Sequence, residues 1–213
     1  MRRRSIFFIL TAAAVSVSLL LLAGCRTTQP AGPPPAASAP PESQPVLPAV
    51  SKQPVPLKSD GTISDNEYTN YQKVGDIHVF TRLEDGSVAF GLMANPSGYL
   101  ALGIEPENKM KGADMIICTV RDGSAQVSDM YSTGLFGPHP PDQQLGGTYD
   151  LYDVSGSKKE AAMTFEFKRK LNTEDSQDKV LKIGQNKVIW SLGSTTDITV
   201  QHASRGYGEL VLQ

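Results

Sequence analysis

The sequence predicts an all-β domain, an antiparallel β-sandwich, on three observations. From residue 60 onward, short runs of apolar, aromatic and β-branched residues recur between clusters of Gly, Pro, Asp and Asn, the mark of strands separated by turns. Glu84-Asp85-Gly86-Ser87 and Arg121-Asp122-Gly123-Ser124 carry Asp-Gly pairs, whose glycine accepts the positive φ of a tight hairpin. The stretch from Met163 to Arg169 (MTFEFKR) alternates with period two, which gives a strand one apolar and one charged face. No long helical period and no internal repeat interrupts this pattern, and many short strands with regular turn signals indicate a sandwich.

The chain has 213 residues, enough for one domain with appendages. Residues 1–25 read as a secretion signal: Arg2 to Arg4, an apolar stretch from Ile6 to Leu22, then Leu22-Ala23-Gly24-Cys25. The apolar stretch is nearly long enough to span a bilayer, but the Leu-Ala-Gly-Cys ending resembles a bacterial lipobox. That resemblance implies cleavage before Cys25, a diacyl group on its sulfur and an acyl chain such as palmitate on its amine. Several chains together make a stable anchor where one holds only marginally. The expected location is extracytoplasmic and lipid-anchored, at the outer membrane if the source has one.

Residues 26–58 form a Pro- and Ala-rich tract, expected to be a disordered linker. Ten of the 15 prolines lie between Pro30 and Pro56, and the tract has too few large apolar residues to offset its ordering entropy. In extended polyproline form, at about 3.1 Å per residue, it reaches on the order of 100 Å. The folded domain is expected over residues 59–213. Its strands are predicted at Ile77–Leu83, Ser87–Ala94, Tyr99–Ile104, Met115–Val120, Gln126–Tyr131, Thr148–Tyr152, Met163–Arg169, Lys187–Ser191 and Glu209–Gln213.

The formal net charge is −2. Without Arg2, Arg3 and Arg4 the chain keeps 17 basic against 22 acidic residues. An acidic domain with no basic run excludes nucleic acid as a partner, because phosphates need clustered Lys or Arg. The sequence contains no C-x-x-C-H, H-E-x-x-H or G-x-S-x-G motif and no phosphate-cradling Gly loop. With Cys25 assigned to lipid, Cys118 stands alone in an apolar strand and reads as a small buried hydrophobe. No pair of nucleophile and base is recognisable, so the domain is not expected to act as an enzyme by itself.

One stretch is out of keeping with ordinary strand chemistry. Between the apolar runs Tyr99–Ile104 and Met115–Val120, Met110 sits among Glu105, Glu107, Asn108, Lys109 and Lys111, whereas methionine usually fills core gaps. Gly98, Tyr99, Ala101 and Gly103, then Met110, then Gly112, Ala113 and Asp114 together resemble the DOMON domain, a family of extracytoplasmic sandwiches that bind haem b or sugars. The resemblance continues through Asp129 and Tyr131, Pro141 and Asp142, Phe165-x-x-x-Arg169, Asp178, Val188-Ile189-Trp190 and His202-x-x-Arg205-Gly206. It covers roughly residues 60–213 and implies an immunoglobulin-like sandwich.

The resemblance further implies non-covalent haem b between Met110 and His202, both at one end of the sandwich, with Arg205 near a propionate. Thioether and imidazole as axial ligands suit electron transfer to a redox partner. The plain alternatives are that Met110 caps the sandwich, His202 is solvated and Arg205 packs under the last hairpin. His78 reads as a half-buried cross-strand residue and His139 as an exposed loop residue. Asp114, Asp129, Asp142 and Asp178 read as turn or hydrogen-bonding residues, since a calcium site needs several converging oxygens.

A sugar-binding module is the competing function. Residues 60–68 also resemble the opening of carbohydrate-binding sandwiches, and Tyr99, Tyr149, Tyr152, Tyr207 and Trp190 are the candidate stacking faces. Trp190, in Val188-Ile189-Trp190-Ser191, reads more as core. A third reading is a lipoprotein that recruits a partner and binds no ligand.

Overall fold

A computed structural model describes residues 46–213. The signal peptide, Cys25 and residues 26–45 of the tract lie outside the described residues. Ten strands form two five-stranded antiparallel sheets. The first has the order β1 (Asn70–Val74), β2 (Ile77–Glu84), β3 (Ser87–Ala94), β8 (Ala162–Lys170), β7 (Tyr152–Lys159). The second runs β10 (Ser204–Leu212), β9 (Gly184–Leu192), β4 (Tyr99–Ile104), β5 (Asp114–Arg121), β6 (Ser124–Tyr131). A single 3-10 turn, Asp142–Leu145, is the only helical element among the described residues.

Alternation along the strands divides their apolar side chains among three layers. Between the sheets lie Val88, Phe90, Leu92, Leu100, Leu102, Ile116, Cys118, Phe165, Phe167, Val188 and Leu210. Cys118 is a free buried thiol with its pKa pushed up by burial, as expected of a small hydrophobe. The opposite face of β4 and β5 carries a second cluster around Ala101, Met115 and Ile117. A third, with Ile63, Tyr68, Phe80, Ala89 and Met93, covers the outer face of the first sheet. Of the two Asp-Gly hairpins, Asp122 and Gly123 both take positive φ, 50° and 76°, as a type I′ turn requires. At the other only Gly86 does, at 68°.

Four expectations need correction. Residues 46–58 are not free linker: Ser51 and Val55 donate backbone N–H bonds to Tyr68 and Asn66 carbonyls, and Leu47 and Leu57 pack on the third cluster. Two leucines in a proline-rich tract suffice to dock its end. β1 has no apolar alternation because it closes an edge with polar side chains. Asn70 Nδ2 donates to the Val211 carbonyl at 3.0 Å, and the Val211 N–H donates to Gln72 Oε1 at 2.7 Å.

The predicted strand Thr148–Tyr152 is instead a connection leading into β7. Its Leu151 is spent on the core and its Asp150 N–H on Asp129. Finally, the charged face of β8 is only partly solvated: Lys168 stays at the surface beside Glu84 and Asp153, while Glu166 is covered. Glu166 and Arg169 are both 0% exposed, Glu166 because a segment distant in sequence lies over it. The N–H groups of Asp60, Gly61 and Thr62 converge on Glu166 Oε2 at 3.1, 2.8 and 3.1 Å, and the Tyr68 hydroxyl donates to Oε1 at 3.0 Å.

Candidate functional site: a cavity on the outer face of the second sheet

The outer face of the second sheet is apolar and incompletely covered. Its floor is Ala101 of β4, Met115 of β5, Met130 of β6 and Ile189 of β9. Gly103 is required here by close approach, because a Cβ at this position would stand 2.5 Å from Met115 Sδ and 2.6 Å from Ile189 Cγ1. Two loops wall the floor, Leu135–Pro141 after β6 and Ile198–His202 between β9 and β10. They leave a cavity of about 990 Å³, at the upper end of the ~300–1,000 Å³ usual for ligand pockets.

The β4–β5 loop explains the odd methionine. Lys111 N–H bonds the Asn108 carbonyl at 3.0 Å, Ala113 N–H bonds the Met110 carbonyl at 3.0 Å, and Gly112 N–H bonds the Ser132 carbonyl at 2.8 Å. Gly112 adopts φ +75° within this tight turn, a conformation an L side chain rarely takes. The turn holds Met110 half-buried on the cavity wall instead of in the core. Beside it, Lys109 Nζ lies 4.1 Å from the centroid of the Phe136 ring on the opposing loop, within cation–π range.

His202 and Arg205 line the same cavity from the far side of the sheet. Arg205 Nη1 lies 3.3 Å from His202 Nε2. Guanidinium can only donate, so Nε2 is the acceptor and carries its lone pair toward Arg205. Burial, then the charge of Arg205, lowers the His202 pKa, which favours the neutral imidazole. Tyr99 supports this loop through a bond from its hydroxyl to the Val200 carbonyl at 3.3 Å. Met110, His202 and Arg205 therefore meet at one cavity, on a sheet face rather than at an end of the sandwich as expected. The reason is that both loops fold back over the outer cluster.

The DOMON domain family model matches residues 73–193. The chain belongs to the DOMON family. A Drosophila melanogaster protein, MOXD1 homolog 1, is 28% identical over 116 residues, which is 54% of this chain and 16% of that protein. The chain thus spans far less than the whole of that relative. Two solved structures are similar at low identity. The cytochrome domain of Myriococcum thermophilum cellobiose dehydrogenase gives a TM-score of 0.47 at 14% identity, covering 64% of this chain and 75% of that one. The cytochrome b domain of Coprinopsis cinerea pyranose dehydrogenase gives 0.48 at 13%, covering 66% and 79%.

The DOMON sandwich places other candidates differently from expectation. His139 is half-buried and lines the cavity; burial foremost, with the charge of His202 adding, lowers its pKa. Its Pro-flanked sequence signals a loop but not the direction in which that loop folds. His78 does pair across strands, opposite Lys73, with the Tyr71 hydroxyl 2.9 Å from its Nδ1, and it lies on the first sheet away from the cavity. The five aromatic candidates share no common face. Tyr207 lines the cavity, Trp190 packs on the main core as expected and touches the cavity only at its border, Tyr99 is buried beneath a loop, Tyr149 bonds the Val127 carbonyl, and Tyr152 starts an edge strand of the other sheet. The carboxylates Asp114, Asp129, Asp142 and Asp178 are buried together, not spread through turns.

Proposed function

We propose that this DOMON domain belongs to an extracytoplasmic lipoprotein, held at the membrane through Cys25, that binds haem b in the cavity and relays electrons to a redox partner. The observation that carries the reading is that Met110 and His202, distant in sequence, line one apolar cavity.

The residues present fit the group. Ala101, Met115, Met130 and Ile189 offer an apolar floor for a macrocycle, and Lys109 and Arg205 offer exposed cations for its carboxylates. Bound haem supplies one-electron exchange, at a potential raised by a thioether–imidazole ligand pair. His202 contributes a neutral imidazole whose Nε2 lone pair becomes available once Arg205 turns away. Arg205 is then free to meet an anionic group. The apolar floor excludes water, and Met110 and His202 are the residues that would hold the group, whose one-electron exchange would suit relay.

A second reading is a sugar, favoured by one observation: the Tyr207 ring, 70% exposed, stands on the cavity. An absorption spectrum of the haem-reconstituted chain, before and after dithionite, separates the two. Haem binding predicts a Soret band that sharpens into low-spin α and β bands on reduction. Met110→Leu, nearly isosteric, is expected to keep the fold and change the spin state or weaken retention. His202→Ala is expected to cost haem affinity more than stability. Spectra unchanged in both variants would remove these two residues as ligands. A chain that stays colourless after haem titration would turn the reading to the sugar, and glycan screening follows.

A further inference from the structure

Directly across the second sheet from the cavity floor, acidic groups crowd the end of the interior. Asp114 precedes Met115 and Asp129 precedes Met130, so while the methionines face the cavity the aspartates turn inward. Asp178 joins them from the β8–β9 connection and Asp142 from the 3-10 turn. Their residue exposures are 0% for Asp114, 1% for Asp129, 0% for Asp142 and 9% for Asp178. One buried cation answers these four carboxylates. Arg169 Nη1 lies 2.6 Å from Asp114 Oδ2, while its Nη2 donates to the Lys179 carbonyl at 2.5 Å and is 3.7 Å from Asp178 Oδ2. Lys179 directs its own ammonium to Glu107 instead, at 3.1 Å.

The hydrogen bonds are divided in a telling way. Asp114 Oδ2 also accepts the Lys179 N–H at 2.9 Å, and Asp129 Oδ2 accepts the Asp150 N–H at 2.7 Å. Asp114 Oδ1, Asp129 Oδ1, both oxygens of Asp142 and both of Asp178 are buried without any hydrogen-bond donor among the described residues. Buried acceptors left in this state are costly, and ionised ones more so. One oxygen each from Asp114, Asp129 and Asp178 lie within 4.8 Å of one another. That spacing is about the span across a cation whose oxygen ligands sit at roughly 2.3–2.6 Å. Asp142 lies outside that spacing but faces the same charges and keeps two unpartnered oxygens.

We propose that Asp114, Asp129, Asp142 and Asp178 form a calcium site that ties the β5–β6 edge to the β8–β9 connection behind the cavity floor. Calcium fits better than magnesium, because it accepts several carboxylates in irregular geometry while magnesium keeps its waters and a strict octahedron. Without a cation, burial raises the carboxyls: Asp114 to about 6, Asp129 to about 7 and Asp142 to about 8, the last also through repulsion by its neighbours. Arg169 acts as a positioning residue, holding Asp114 by one oxygen so that the other stays free. This site is independent of what the cavity binds.

The test is calorimetric and thermal titration of the EDTA-treated full chain with calcium chloride, and in parallel with magnesium chloride. Calcium is expected to bind at one ion per chain and to raise Tm by roughly 5–10 °C at a hundredfold excess over Kd, magnesium less. Asp129→Asn and Asp142→Asn are expected to weaken calcium binding at least tenfold while leaving Tm in EDTA equal or higher, since each removes a buried carboxyl whose ionised form burial and its neighbours disfavour. Metal content of the dialysed wild-type chain, one calcium expected, gives a readout that does not depend on the variants folding. Absence of heat, Tm shift and retained metal up to about 10 mM, above the weakest extracellular calcium modules, would overturn the proposal. So would a calcium response that both variants retain in full.

Discussion

The two outer faces of the sandwich are built alike and finished differently. Each carries an apolar cluster on the side of its sheet away from the main core. On the first sheet, residues 46–68 lie across the cluster, and Glu166 gathers three backbone N–H groups and a tyrosine hydroxyl to hold them there. On the second sheet the cover is two loops that stop short of closure and leave about 990 Å³. An apolar face closed by its own chain contributes stability, whereas one left open is available to a ligand. The chain spends its N-terminal segment on one face and reserves the other, and that asymmetry places the site.

Breaking the closed face gives the largest expected effect. Glu166→Ala orphans the buried Gly61 N–H and the part-buried Asp60 N–H, at about 1–3 kcal/mol for a buried donor, while the Thr62 N–H keeps Asp60 Oδ1 and the Tyr68 hydroxyl keeps the Phe90 carbonyl. Because water reaches part of the N-terminal segment once it loosens, the expected loss is about 2–4 kcal/mol, read from urea unfolding. The cavity on the opposite sheet is expected to keep its shape under folding conditions. A loss below about 1 kcal/mol would mean that the carboxylate is not what fastens the segment.

The next effect sharpens the contrast with one chemistry at two places. Ala89 and Ala101 are both buried on outer faces, Ala89 under the closed cover and Ala101 in the cavity floor. Ala89→Leu is expected to cost about 1–3 kcal/mol by overpacking and to leave ligand binding intact. Ala101→Leu, at a position 1% exposed that borders the cavity, is expected to cost less than Ala89→Leu, since part of the added volume can turn into the cavity, and to weaken haem or sugar binding at least tenfold. Equal stability losses at the two positions would show that the faces do not differ in closure.

This contrast marks where sequence reading succeeds and stops. Asp-Gly hairpins and alternating strands are local, so β2, β3, β4, β5 and β6 stand within two residues of expectation. Met110 stood out because its polar loop made no local sense, and the turn that exposes it supplies the reason. Residues whose environment comes from a distant segment were misread. Glu166 and Lys168 both look solvated in an alternating strand, and only the arrival of Asp60–Thr62 buries the former while the latter meets Glu84 and Asp153 at the surface. Asp114, Asp129, Asp142 and Asp178 are turn residues by composition, and only the pairing of β5 with β6 and the path of the β8–β9 connection bring them together. His139 reads as an exposed loop residue until that loop is seen to fold onto the second sheet.

The smallest effect is a pH slope carried by the closed face. Burial raises the Glu166 pKa, with the bonds from Gly61 and Tyr68 opposing. The folded value therefore lies above the unfolded one. Its contribution is fully present below the unfolded Glu range and is lost as pH rises through the folded value. Wild-type stability should accordingly gain, relative to Glu166→Gln, as pH falls from 7 toward the ordinary carboxylate range, because the amide cannot take up a proton. Comparing the two chains in the same buffer cancels other groups that titrate over the same interval. A wild type that loses stability relative to Glu166→Gln on acidification would show that the four donors outweigh desolvation and hold the carboxylate ionised.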